Sequence, residues 1–353
     1  MGKKKMNRRS FLGGSLAAAA AVTVGSSFAT EPVIKSVLIK KNKENPFNER
    51  TYGAMPTNSF GRTGFKVGIL SLGGQATIED QGTEEESERI INRALDLGVN
   101  YIDTAAAYGR GQSQINIGRV MKTRRSEVWL STKTHDRTYD GSMKLLEESL
   151  KSLQTDHLDT WQLHNVKRKS ELDQIFSDSG AMKALEKAKS EGLVRHLGIT
   201  GHYEPLILLE AIKRFPFDQI LMAINAADVH YLSFKNYLLP ETQKQQIGIV
   251  GMKVATRGRM LSSWAPPPIA DQPARMATTK PGTLTIKEAL NYSMSLPVST
   301  TIIGVDNVAQ IEEDVQIASE FTPLSEAQMK DIEYRTLPIV RQGLYFRRWE
   351  LGA

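Results

Sequence analysis

Three stretches decide the fold: Val99-Asn100-Tyr101-Ile102-Asp103, Val128-Trp129-Leu130-Ser131-Thr132-Lys133 and Leu158-Asp159-Thr160-Trp161-Gln162-Leu163-His164. Each is a short apolar run that ends on an ionisable side chain, the pattern of a buried strand leading into a loop. Asp103, Lys133 and His164 recur about every 30 residues, the length of one strand with its crossover helix. Working outward, further runs of the same kind are Val67-Gly68-Ile69-Leu70 before them and Val194-Arg195-His196-Leu197, Ile220-Leu221-Met222, Ile247-Gly248-Ile249-Val250 and Thr301-Ile302-Ile303 after them. That makes eight strands.

Helical patterns fill the gaps. Thr83 followed by Glu84, Glu85 and Glu86 predicts a capping box opening a helix with Ile90, Ile91, Ala94 and Leu95 on one face. Leu145, Leu146, Ser149, Leu150 and Leu153 repeat the pattern after the third strand. Eight such units in one array predict an α/β fold, a (β/α)8 TIM barrel in a single domain. The alternative is a Rossmann domain followed by a second domain, and the lack of a strand-linked Gly-x-Gly-x-x-Gly weighs against it. The expected layout is a signal segment over residues 1–29, a polar linker over 30–57, the barrel over 58–320 and a C-terminal helix and tail over 321–353.

The chain has 353 residues, 40% hydrophobic and 24% charged, with no cysteine, which excludes a disulfide scaffold and a disordered chain. Its formal charge of +6 is concentrated at the start, in Lys3, Lys4, Lys5, Arg8 and Arg9. Without residues 1–29 the balance is 40 basic against 39 acidic residues, so composition gives no support to a nucleic-acid partner. Asn7-Arg8-Arg9-Ser10-Phe11-Leu12, the alanine-rich stretch Gly13 to Gly25 and the small residues Ser27 and Ala29 read as a removable export signal resembling the twin-arginine type. A general secretory signal that happens to hold two arginines is the alternative. The twin-arginine reading predicts an exported, periplasmic protein that meets the export machinery already folded, with no stable membrane span.

In a barrel of this kind chemistry is expected where strands end. Asp103, Lys133 and His164 end neighbouring strands, and Tyr108 lies in the loop just beyond Asp103. Singly, each has an ordinary structural reading: a capping carboxylate, its salt-bridge partner, a satisfied core histidine. Together they form an acid, an amine, a phenol and an imidazole at one rim. A phenol holds its proton too tightly to exchange it easily at neutral pH, with a reference pKa of about 10, and a neighbouring ammonium would lower that value. Tyr108 could then pass a proton to a carbonyl oxygen as hydride reaches the carbon, with His164 orienting the carbonyl. Hydride must come from a cofactor, because no side chain carries it.

At these residues the sequence resembles the aldo-keto reductase superfamily. Gly61-Arg62-Thr63-Gly64-Phe65-Lys66-Val67 with Leu72-Gly73-Gly74 is similar to that family's entry hairpin and first strand. Asp103-Thr104-Ala105-Ala106-Ala107-Tyr108-Gly109-Arg110-Gly111-Gln112-Ser113 is similar to its Asp-Thr-Ala-x-x-Tyr-Gly-x-Gly-x-Ser motif. The resemblance runs from about Gly61 to Ala318. It implies that Asp103, Tyr108, Lys133 and His164 form a catalytic tetrad and that NADP(H), or NAD(H), binds across the rim.

The cofactor side matches less closely. The family's Ser-Asn after the fifth strand is Thr200-Gly201 here, followed by His202; its strand-six glutamine aligns with Leu221, or with Met222 after a one-residue shift. Met252 or Lys253 stands where the nicotinamide is approached. Gly304, Asn307, Gln310, Glu313 and Asp314 resemble the adenosine-phosphate segment, with Asp306 where an arginine often meets the 2′-phosphate. The expected function is an NAD(P)-dependent interconversion of a small-molecule carbonyl and alcohol, and the alternative is a cofactor-bound sensor or binding subunit. Iron-sulfur chemistry lacks thiolate ligands. Thr256 to Gly282, with Pro266-Pro267-Pro268, predicts either a lid over the rim or an ordered surface excursion. Arg347 and Arg348 in the basic-aromatic tail are left open between solvent, a partner subunit and one side of the cleft, and no oligomeric state is predicted.

Overall fold

The computed structural model describes residues 44–261 and 283–349. The expected export signal and the stretch 262–282 lie outside these residues. A two-stranded antiparallel ribbon, β1 (Thr57–Ser59) with β2 (Lys66–Gly68), leads into the parallel strands. They are β3 (Leu70–Gly73), β4 (Tyr101–Asp103), β5 (Trp129–Thr134), β6 (Leu158–Leu163), β7 (Val194–Gly201), β8 (Gln219–Ala223), β9 (Gly248–Met252) and β10 (Thr300–Ile303). Each is hydrogen-bonded to the next, and β10 returns to β3, so the sheet closes into a barrel and no strand is left with an unpaired edge.

Seven of the eight expected runs coincide with barrel strands. The first divides. Val67 and Gly68 pair with β1, the chain turns at Ile69, and the barrel strand starts at Leu70. Local apolarity could not separate the two pieces because both are buried.

The helices referred to below are α1 (Glu84–Asp96), α2 (Gln112–Arg124), α3 (Tyr139–Ser152), α4 (Ala181–Ser190), α5 (Pro205–Arg214), α6 (Ile286–Ser295), α7 (Val308–Ser319) and α8 (Glu326–Thr336). In α1 the buried residues include Ile90, Ile91, Ala94 and Leu95, the face the spacing predicts. The capping box at Thr83 does not form. Its hydroxyl instead donates to the carbonyls of Thr77 and Asp80, at 2.7 and 2.9 Å, tying the helix start to the loop after β3. Capping boxes do form at α6, between Thr285 and Glu288, and at α8, between Ser325 and Gln328.

The N-terminal mouth of the barrel is plugged by aromatic rings. Phe60 and Phe65 from the ribbon meet Trp129 at ring-centroid distances of 5.2 and 4.8 Å, and Phe60 meets Tyr101 at 5.6 Å. Leu221, Val250, Met252 and Ile302 continue this apolar core along the barrel. Part of the stretch expected as linker is held by the same body: buried Asn48 donates its side-chain amide to the carbonyls of Leu95 and Val99. With one mouth filled, the opposite ends of the strands are left to carry the site.

Candidate active site

Strand alternation sends Thr160, Gln162 and His164 to one face, so β6 and the residue just after it present a polar ladder to the barrel interior. Asp103 ends β4, and Lys133 is the fifth residue of β5. Lys133 Nζ donates to the Asp103 carboxylate, to the Thr104 carbonyl at 2.7 Å and to the Tyr108 hydroxyl at 3.3 Å. The Gln162 amide donates to Asp103 Oδ1 at 2.9 Å and to Ser131 Oγ at 2.8 Å. The His164 ring stands edge-on to the Tyr108 ring, with centroids 5.8 Å apart. All four residues expected to act together therefore do meet.

The loop that delivers Tyr108 explains its own sequence. Gly109, Arg110 and Gly111 take φ of 56°, 56° and 97° in succession, a left-handed run that glycine accepts far more readily than other residues. A Cβ on Gly109 would lie 1.8 Å from the Glu79 carbonyl oxygen, so a side chain there would displace the loop. Ser113 Oγ donates to the Gly74 carbonyl at 2.6 Å and hydrogen-bonds the Thr104 hydroxyl at 2.7 Å. The loops after β3 and β4 are thus fastened together beside the phenol.

Burial, then the Asp103 carboxylate and Glu79, push the Tyr108 phenol well above its ordinary value, and Arg257 acts the other way. The lowering expected from Lys133 is outweighed, first by burial and then by the Asp103 carboxylate that pairs with the ammonium. Burial also raises Asp103 and lowers Lys133, each opposed by the other's charge. His164 is held well below the usual imidazole value by burial and by Lys133, so it is neutral at physiological pH and can donate or accept one hydrogen bond.

A cavity of about 250 Å³ runs along the rim from Asp103 and Tyr108 to α7. Of the residues expected to bind cofactor, Met252, Lys253, Gly304, Gln310, Glu313 and Asp314 line it, as does Asp306. Lys253 stands in a left-handed backbone conformation, φ 65°, and Nζ donates to Gln75 Oε1 at 3.0 Å. Burial, aided by Arg257, pushes Lys253 down to about 8. Sequence reasoning missed Gln75, Glu79 and Arg257, which also line the cavity, and Gln162, which steadies Asp103. Gln162 was signalled by its place two residues before His164 on the same strand face; the other three lie on loops whose course the sequence does not reveal.

Four expected cofactor residues lie off the cavity. Leu221 is fully buried in the barrel core with Val250 and Met252. The Thr200 hydroxyl accepts from the backbone N–H of Asn165 at 2.7 Å, and Gly201 packs against Leu208 of α5. Asn307 caps α7 by accepting from the Gln310 N–H at 3.1 Å. Of the expected lid, Thr256, Arg257, Gly258 and Leu261 line the cavity, Arg259 and Met260 are buried off it, and residues 262–282 lie outside the described residues.

The tail resolves one open alternative. Arg347 is buried, pairs with the buried Asp228 carboxylate and donates to the carbonyls of His202 at 2.8 Å and Ala223 at 2.9 Å. It lies over the Phe234 ring at 4.1 Å, and its neighbour Phe346 stands edge-on to His202 with centroids 5.8 Å apart. Arg348 pairs with Glu204 at 3.1 Å. Both arginines dock the tail onto the loops after β7 and β8 of their own chain.

Comparison with known proteins adds the following. A family model described as Aldo/keto reductase family matches residues 66–334, and one described as the TAT (twin-arginine translocation) pathway signal sequence matches residues 5–25. An uncharacterized oxidoreductase of Bacillus subtilis, YqkF, is 25% identical over 75% of this chain and 91% of its own. L-galactose dehydrogenase of Arabidopsis thaliana is 28% identical over 75% of this chain and 89% of its own. Among solved structures, the holo form of an aldo-keto reductase from Bacillus halodurans covers 80% of this chain and 96% of its own, with a TM-score of 0.64 and 25% identity.

Proposed function

Because the chain belongs to the aldo/keto reductase family and is an NAD(P)H-dependent reductase carrying a twin-arginine export signal, we propose that it reduces a small aldehyde or ketone in the periplasm with Tyr108 as the proton donor. The observation that carries this reading is the convergence of Tyr108, Lys133, Asp103 and His164 at one rim.

The cavity fits a nicotinamide dinucleotide in its chemistry. Its wall passes from Asp103 and Tyr108, through the cations Lys253 and Arg257 and the glycines Gly73, Gly74 and Gly304, to polar Gln310 at the start of α7. Cations and a helix N-terminus suit phosphate groups, and glycines allow close approach to backbone. The bound cofactor supplies the hydride.

The chain's own residues then handle the proton and the carbonyl. Neutral His164 donates one hydrogen bond to the substrate oxygen and fixes its direction. As negative charge develops on that oxygen, the Tyr108 hydroxyl releases its proton, and Lys133 stabilises the phenolate left behind. Asp103, held by Gln162, keeps Lys133 charged and aimed at the phenol. With its value held above the ordinary one, the phenol stays protonated through the neutral range, so the donor form is the one present.

Tyr108→Phe tests the assignment. The purified variant is expected to lose at least about a hundredfold in kcat on any carbonyl the wild type reduces, within the range of general acid catalysis, while binding cofactor within about twofold. Full turnover by the variant would remove Tyr108 from the reaction. The export signal favours a cofactor acquired in the cytoplasm and carried inside the folded barrel, which makes slow cofactor release part of the same reading.

A further inference from the structure

Resting on the reading of His164 as the group that orients the carbonyl, we propose that Arg137 is a positioning residue for the reduction, holding the turn that aims the His164 ring at the substrate. The ring needs such a support. It stands edge-on to Tyr108, and among the described residues no hydrogen bond reaches either of its nitrogens. An imidazole so placed keeps its N–H for a carbonyl oxygen, and its direction is then set by the backbone at residue 164.

That backbone is held from three sides. The His164 N–H donates to the carbonyl of Thr134, the residue after Lys133 at the end of β5, at 2.8 Å. Asn165, next in the chain, stands in a left-handed conformation, φ 50°, which asparagine adopts more readily than most residues. Thr200 of β7 secures it there: its hydroxyl accepts from the Asn165 N–H at 2.7 Å and its carbonyl from the Val166 N–H at 2.9 Å. The third support is Arg137, on the loop after β5. Its Nη2 donates to the His164 carbonyl at 2.8 Å and to the Asn165 carbonyl at 3.4 Å.

Arg137 is itself fixed. Its side chain is 14% exposed, and Nη2 also donates to Glu171 Oε2 at 2.8 Å, on the helix Lys169–Ile175 that follows the turn. Its own carbonyl accepts from the N–H of Ala181, at the start of α4, at 2.9 Å. Nη1 is buried and has no acceptor among the described residues, so the guanidinium stands here at a cost that the bonds of Nη2 must offset. Its charge also reaches the imidazole, which burial, Lys133, His135, Arg137 and Lys253 together hold in the neutral form. Neither Arg137 nor Glu171 lines the cofactor cavity, so their effect should fall on the carbonyl and not on the nucleotide.

A double-mutant cycle on the full-length protein is the test. With His164 in place, Arg137→Met is expected to lower kcat/KM for a carbonyl substrate about tenfold and to leave the Kd of the reduced cofactor within about twofold. In a His164→Ala background the same substitution is expected to cost less than about twofold, because the ring it positions is gone. Arg137→Lys can place one charged nitrogen where Nη2 now makes all three contacts, and is expected to keep at least about a third of the wild-type kcat/KM. Should Arg137→Met fail to fold, Glu171→Gln, which loosens the guanidinium from its other side, enters the same cycle, with a loss of about fourfold expected beside His164 and less than about twofold without it. An equal loss in both backgrounds, no loss with His164 in place, or a lysine variant no better than the methionine one would overturn this inference alone. A His164→Ala variant with wild-type kcat/KM would overturn the reading of His164 itself.

Discussion

Lys133 Nζ stands 3.3 Å from the Tyr108 hydroxyl while it is bonded to the Asp103 carboxylate and the Thr104 carbonyl. One ammonium therefore neutralises a buried acid and points an N–H at the phenol. Lys133→Met should strand Asp103 as an unpaired buried charge and cost about 3–5 kcal/mol of stability. The double variant Asp103→Asn with Lys133→Met should recover much of that stability and none of the turnover. Urea unfolding beside single-turnover assays separates the two effects; a single variant as stable as the wild type would contradict the pairing.

The pH dependence should differ between the two directions of reaction. Reduction needs the protonated phenol, and burial holds Tyr108 well above its ordinary value, so kcat for reduction should be flat from about pH 6 to 8. Oxidation needs the phenolate, whose population is small and grows about tenfold per pH unit below the phenol's pKa, so its kcat should climb over the same interval. A reductive rate that falls through neutral pH would assign the proton to another group.

Nucleotide choice should follow Asp306. A charge-assisted phosphate contact is worth about 1.5–3 kcal/mol, so a site with a carboxylate in its place should not prefer NADPH. Asp306→Arg should strengthen NADPH binding by about tenfold or more and leave NADH within about threefold. A hundredfold preference for NADPH in the wild type would place the phosphate site on other residues.

Removing Arg347 should loosen the tail. Arg347→Met leaves Asp228 buried without its cation, at a cost of about 3–5 kcal/mol, and releases Phe346 from His202. KM should rise more than kcat falls, because Phe346 packs on His202, which lies near enough to His164 and Lys253 to feel their charge, and neither touches the phenol. Unaltered thermal stability would show that the pair contributes little.

Export should depend on the paired arginines. Replacing Arg8 and Arg9 together with lysine should hold the full-length precursor in the cytoplasm with an unchanged far-ultraviolet spectrum. Normal processing and export of that protein, followed by fractionation and immunoblotting, would indicate the general secretory route and exclude carriage of a cytoplasmic cofactor.

The barrel was legible because its determinants are local and repeated. Apolar runs spaced by one helix report buried parallel strands wherever they fall, and the ionisable residues at their ends report the rim. The motif from Asp103 to Ser113 was equally legible, since its glycines answer a backbone requirement that only a left-handed loop imposes.

What the sequence left undecided depends on distances between segments far apart in the chain. Val67 and Leu70 look alike as letters, and only pairing with β1 or with β10 separates ribbon from barrel. Leu221 aligns with a cofactor residue, yet its side chain fills the core, because the barrel interior at that level is already apolar. Arg347 could have faced water, a partner or the cleft; the buried Asp228 carboxylate, 119 residues earlier, decided for its own chain. The elevated phenol of Tyr108 arises from burial, which is a property of the closed fold and not of any one stretch of sequence.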